Sequence, residues 1–189
     1  LIFFSNVIFV LTSVRLLKIA RQNDILNMNL KKLTIRTDDM SKGDIAKKYF
    51  ESGYNCAQAV LLAFCEDYGL DKETAVMISA PFGGGIGRLR EVCGTFSGIN
   101  MALGLAKGKA TETDRTKKAE LYGDVQTLAE KFKSDCGSII CRDLLGLRVK
   151  GKENPMPSER TEAYYKARPC SELCRYAADL LEEYLKKNP

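Results

Sequence analysis

The chain has 189 residues, 45% of them hydrophobic and 28% charged, with no His and no Trp; this is enough chain for one globular domain with a real core. Without histidine, a His-assisted nucleophile, a Cys/His zinc site and a haem with a His axial ligand are excluded. The formal charge is +5, but six Lys/Arg against three Asp in residues 1–39 account for +3 of it, and the remaining +2 is no footprint for nucleic acid.

The N-terminal run LIFFSNVIFVLTSV is apolar. It lacks basic residues before it and a small-residue cleavage site after it, and it is short of the ~20 apolar residues that a spanning helix needs. An anchor, a weak signal sequence and a segment outside the folded domain compete as readings. The last is the expectation: residues 1–39 form an extension, and the helical domain runs from 40 to 189. A membrane is not expected to engage that domain. Seven cysteines, an odd number, argue against a secreted disulfide scaffold and for a reducing cytoplasm.

From Met40 the pattern is helical throughout, and no segment alternates as a strand would. Ser41 caps a first helix with Ile45, Ala46, Tyr49 and Phe50 inward, and Gly53 ends it. Asn55 caps a second, with Cys56 in its first turn and Val60, Ala63 and Phe64 on one face, stopping at Gly69. Asp71 caps a third, which Pro81 breaks. The stretch Pro81 to Gly98, PFGGGIGRLREVCGTFSG, then makes a tight loop whose glycines tolerate positive φ. It leads into a fourth helix near whose first turn Cys93 sits. Gly94 and Gly98 give that helix a face without side chains, and Met101, Ala102 and Leu105 extend its buried surface.

Thr111 or Thr113 is expected to begin a long amphipathic helix with the stripe Leu121, Val125, Leu128, Ala129 and Phe132. In SDCGSIICRDLLG, Ser138 is the expected cap of a short helix that holds Cys141 near its first turn and ends at Gly146. Residues 147–160 form a polar, Pro-containing loop, and Glu159 to Arg168 is helical. Pro169 precedes a final helix, with Cys170 and Cys174 on one face and Leu173, Ala177, Leu180, Leu181 and Tyr184 as its stripe. The fold class is thus all-α: a multi-helix bundle with a Gly-rich loop between the third and fourth helices.

Cys56, Cys93, Cys141 and Cys170 each fall near a predicted helix N-terminus, in four separate segments. Unpaired N–H groups and the helix dipole favour a thiolate there. Cys93, with Arg88 and Arg90 before it, is expected to be the most acidic and reactive thiol. Cys65, Cys136 and Cys174 read as packing. Two chemistries suit the four: a reversible thiol–disulfide or electron-transfer pair, or an all-cysteine metal site holding zinc or an iron–sulfur cluster. A third reading is a helical interaction module whose cysteines only pack. No C-x-x-C or βαβ pattern supports a thioredoxin-like site, and the spacing is not that of a conventional ferredoxin.

Gly83, Gly84, Gly85 and Arg88 are the cofactor-binding candidates. A dinucleotide fingerprint fails because Arg90 stands where G-x-G-x-x-G needs its third glycine, counted from Gly85, and no strand precedes the loop. The loop therefore reads chiefly as structure beside Cys93, with Arg88 and Arg90 either solvated or holding an anionic ligand.

The order NCAQAVLLAF, FGGGIGRLREVCGTFSG, CRDLLG and then a late cysteine opening the last helix resembles the redox-active family named for its C_GCAxxG_C_C pattern. The likeness covers roughly Lys42 to Tyr184. It implies an α-helical domain with four signature cysteines, here Cys56, Cys93, Cys141 and Cys170, working with a redox partner that the sequence does not name. Thr95 stands where the family motif usually has Ala, and the cysteine and both glycines around it are intact.

Overall fold

The computed structural model describes residues 40–148 and 153–189, so the expected extension at 1–39 lies outside the described residues. Ser41 Oγ accepts from Asp44 N at 3.1 Å and starts α1, Lys42–Glu51. Ala46 and Phe50 turn inward, and Gly53, at φ 103°, reverses the chain. Asn55 then forms a capping box: its Oδ1 accepts from Ala57 N and Gln58 N at 3.0 Å each, while Gln58 Oε1 accepts from Asn55 N at 2.9 Å. This satisfies several of the amides that a helix start leaves open.

The resulting α2, Cys56–Leu62, buries Ala57, Ala59, Val60, Leu61 and Leu62. A helix apolar on nearly every side belongs at the centre, and its neighbours pack around it. The sequence predicts one helix up to Gly69. The structure ends the α-helix at Leu62 and finishes with a 3₁₀ turn, Cys65–Tyr68, before Gly69 at φ 72°. Asp71 Oδ1 accepts from Thr74 N at 2.9 Å and starts α3, Lys72–Ser79. A 3₁₀ turn, Ala80–Phe82, carries Pro81 into the Gly-rich loop.

After that loop come α4 (Gly94–Lys107), α5 (Arg115–Cys136), α6 (Cys141–Leu144), α7 (Glu162–Ala167) and α8 (Cys170–Lys187), so the loop does lie between the third and fourth of eight α-helices among the described residues. The cap of α5 is Asp114, whose Oδ1 accepts from Thr116 N at 2.8 Å and Lys117 N at 3.2 Å, rather than Thr111 or Thr113. Both threonines instead donate their hydroxyls to carbonyls of the preceding turn, Gly108 O and Ala110 O. Helix α7 is shorter than the predicted Glu159 to Arg168 because Thr161 caps it. In α4, Leu105 is 37% exposed, and Leu103 takes the buried place expected of it.

Two close approaches fix the packing. Gly43 lies in α1 where a Cβ would stand 2.3 Å from the Asp179 carboxylate, which accepts the Gly43 N–H at 2.8 Å and ties α1 to α8. Gly98 lies in α4 where a Cβ would stand 2.6 Å from Val60 Cβ, so α4 crosses directly over α2. Phe96, Phe132 and Tyr176 then join α4, α5 and α8 edge to face, with ring centroids 5.8 and 5.7 Å apart. Such pairs add about 0.5–1.5 kcal/mol each beyond burial.

Candidate thiol site

Cys56, Cys93, Cys141 and Cys170 arrive from four helix starts. Cys56, Cys141 and Cys170 are the first residues of α2, α6 and α8, and Cys93 is the residue that caps α4. Cys93 and Cys141 are also held backbone to backbone. Cys93 N donates to Ile139 O at 2.8 Å, Cys141 N to Glu91 O at 2.7 Å and Arg142 N to Arg90 O at 3.2 Å, and Val92 faces Ile140 in an isolated antiparallel bridge.

The Gly-rich loop lets these pieces meet. Gly85, at φ 73°, lies where a Cβ would stand 2.6 Å from Cys141 Cβ; at Gly94 a Cβ would be 3.1 Å from Cys56 Cβ and 2.9 Å from Phe82 O. Gly83 admits the Asn55 side chain in the same way, at 2.7 Å. The loop is strained as well as tight. Ile86, Arg88 and Arg90 have φ of 59°, 68° and 60°, a conformation that costs non-glycine residues about 1–3 kcal/mol and collects at functional sites.

All four cysteines line one cavity of about 390 Å³, with Gly83, Gly84, Gly85 and Arg88 in its wall. Cys93, Cys141 and Cys170 are buried and Cys56 is half-buried. Burial pushes the Cys93 thiol up to about 11, against a smaller opposing pull from Thr95, whose Oγ1 is 3.2 Å from the sulfur. This corrects the expectation that Cys93 is the most acidic thiol. As the cap residue it lies just outside the helical turn, and the two arginines meant to assist it point elsewhere. Arg88 and Arg90 close on Glu153 Oε2, at 3.2 and 2.7 Å.

The cation beside a thiol is found at Cys141 instead, where Arg90 Nη1 lies 4.0 Å from the sulfur. Burial still raises Cys141, with Arg90 pulling the other way. Cys56 and Cys170 each perturb the other. A hydrogen bond from Cys170 favours the Cys56 thiolate, but Cys174 and burial outweigh it and Cys56 stands well above an ordinary thiol. Cys170 is pushed far up, first by its hydrogen bond to Cys56 and then by burial.

Cys174, read from sequence as packing, is fully buried beside Cys56, with its sulfur 4.0 Å from Cys56 O. Its position four residues after Cys170 was the available signal. Sequence reasoning missed Glu153, Arg160, Arg168 and Tyr164, which sit in irregular chain or a short helix without periodicity. Cys65 and Cys136 are not in the wall of the cavity.

Four thiols without histidine suit zinc or an iron–sulfur cluster chemically. Among the described residues, however, no three Cys, Asp or Glu side chains converge closely enough to hold a metal ion. The cysteines line the wall without forming a ligand cage. Among the same residues no helix is long and apolar enough to cross a membrane.

No curated protein and no solved structure matches the chain. A family model does: it covers residues 54–184 and bears the description "putative redox-active protein (C_GCAxxG_C_C)". The chain, with Cys56, Cys93, Cys141 and Cys170 gathered on one cavity, belongs to that C_GCAxxG_C_C family.

Proposed function

We propose that the protein is a thiol–disulfide redox protein in which Cys56 and Cys170 form a reversible pair. The observation that carries this reading is that four thiols from four helix starts share one cavity, with Cys56 and Cys170 shifting each other's proton affinity in opposite directions. Cys56 is the more accessible member. Its thiolate attacks one sulfur of a disulfide; that S–S bond breaks, and the leaving thiolate departs with the electron pair and takes up a proton. Cys170 then loses its proton to solvent and attacks Cys56 in the mixed disulfide, forming the protein disulfide and releasing the second thiol. Two electrons and two protons pass from the protein to the substrate, and the reverse sequence reduces the protein. Cys174, behind Cys56 and outside the cavity wall, does not meet substrate.

The raised thiols set the pH dependence. The thiolate is the nucleophile, so the rate climbs as pH rises through neutrality. Oxidising the reduced protein with a small disulfide, followed by peptide mapping, is expected to give a Cys56–Cys170 link that dithiothreitol reverses. A link confined to other pairs refutes the assignment. Stoichiometric zinc or iron in anaerobically purified protein refutes the thiol reading in favour of the metal one.

A further inference from the structure

The cavity that carries the thiols is also cationic. Arg88, Arg90, Arg160 and Arg168 line it, and among the described residues no Asp or Glu does. Glu153 neutralises the first two from the side. Arg160 and Arg168 have no carboxylate partner among the described residues, yet both are fixed in place. Arg160 Cζ lies 4.4 Å from the Phe50 ring centroid and 4.9 Å from that of Tyr164, and its Nη2 donates to Tyr54 O at 3.2 Å. Arg168 Cζ stacks 4.8 Å over Tyr164.

One donor is left over. Arg160 Nη1 is buried and has no acceptor among the described residues. An unmet buried donor on a charged group is costly, and ring packing orients a guanidinium without meeting its N–H groups. What such an arrangement lacks is an anion with oxygen acceptors, and arginine forks match a carboxylate in two-point contact. A volume of about 390 Å³ lies in the range of small-molecule sites rather than flat protein interfaces.

We propose that the cavity binds a small carboxylate-bearing disulfide and its thiol product, with the carboxylates on Arg160 and Arg168 and the sulfur facing Cys56. This rests on the thiol–disulfide reading above and adds the substrate class to it. The anion is held by residues separate from the reacting sulfurs, so affinity and exchange can be measured apart.

Two measurements on the full chain test it. Calorimetry with adipate, a redox-inert dicarboxylate, is expected to show binding that weakens in Arg168→Gln and in Arg160→Lys, the second keeping the charge while losing the fork. Oxidation of the reduced protein is followed with dithiodipropionate, hydroxyethyl disulfide and cystamine, which are anionic, neutral and cationic. The anionic probe should react fastest and the cationic slowest, and Arg168→Gln should cut the anionic-to-neutral rate ratio about tenfold, the scale of one charge-assisted hydrogen bond. Equal rates for the three probes without adipate binding overturn this inference and leave the thiol reading standing. Adipate binding with no reaction of any disulfide supports the anion site and ends the thiol reading. Inorganic phosphate bound more tightly than adipate overturns the carboxylate assignment.

Discussion

Replacing Gly98 with alanine sets helix propensity against packing. Gly98 is buried inside α4, and alanine is favoured over glycine in a helix interior by about 1 kcal/mol. The added methyl would stand 2.6 Å from Val60 Cβ, 3.0 Å from Val60 Cγ1 and 3.1 Å from Ala57 O. None of these atoms is the free end of a flexible side chain, so α2 and α4 must separate. Overpacking a core costs about 1–3 kcal/mol, and contact with a β-carbon and a backbone carbonyl belongs at the upper end. The net loss is therefore about 2 kcal/mol, or about 4–8 °C in Tm for a domain of this size. Gly104, in the same helix with nothing within 4 Å of its added Cβ, is the control: Gly104→Ala gains the propensity alone and stabilises the protein. Thermal and denaturant melts of both variants decide the point. A Gly98→Ala protein as stable as Gly104→Ala refutes the close approach, and with it the account of how Cys56 is held against the Gly-rich loop.

Cys93 supplies a second prediction. Its pKa rises from an ordinary 9.0 to about 11 on folding, so the folded state holds its proton more tightly, and the stability this gives is present below pH 9 and lost as pH climbs through about 11. Two pKa units correspond to about 3 kcal/mol, and denaturant melts across that window should show a loss that Cys93→Ala reduces by about that amount, the other raised thiols keeping the rest. Glu153→Gln should release the polar loop from Arg88 and Arg90 and speed limited proteolysis between 153 and 160. Since Arg90 holds the Glu153 carboxyl below its ordinary range, the wild-type clamp should persist above that range and open as pH falls through the lowered value. Asn55→Ala removes the capping box of α2 and should cost about 1 kcal/mol in denaturant melts, with faster alkylation of Cys56 at its first turn.

Much of the bundle was legible because helix starts carry local chemistry. Ser41, Asn55 and Asp71 each accept from amides two or three residues ahead, and no tertiary knowledge is needed to expect that. Where several capping residues crowd together, as at Thr111, Thr113 and Asp114, the sequence does not rank them, and the carboxylate prevailed. The placing of Cys56, Cys93, Cys141 and Cys170 at helix starts was legible for the same local reason, although their acidity was not. Whether Arg88 and Arg90 serve Cys93 depends on Glu153, more than sixty residues later in the chain, reaching across to take both. Arg160 was invisible for a related reason: its aromatic setting combines Phe50 from α1 with Tyr164 from α7, and no periodicity links them.

The backbone pairing of residues 90–93 with residues 139–142 makes the helical hairpin between them a detour that returns to its own starting point. The entropic cost of closing such an excursion grows only slowly with its length. Lengthening or shortening the turn at 108–113 should therefore leave the registry of Cys93 and Cys141 untouched. The opposite holds at the pairing itself, where side chains alternate from one face to the other. Deleting a single residue between Ser138 and Cys141 would keep every helix and turn that sulfur to the wrong side.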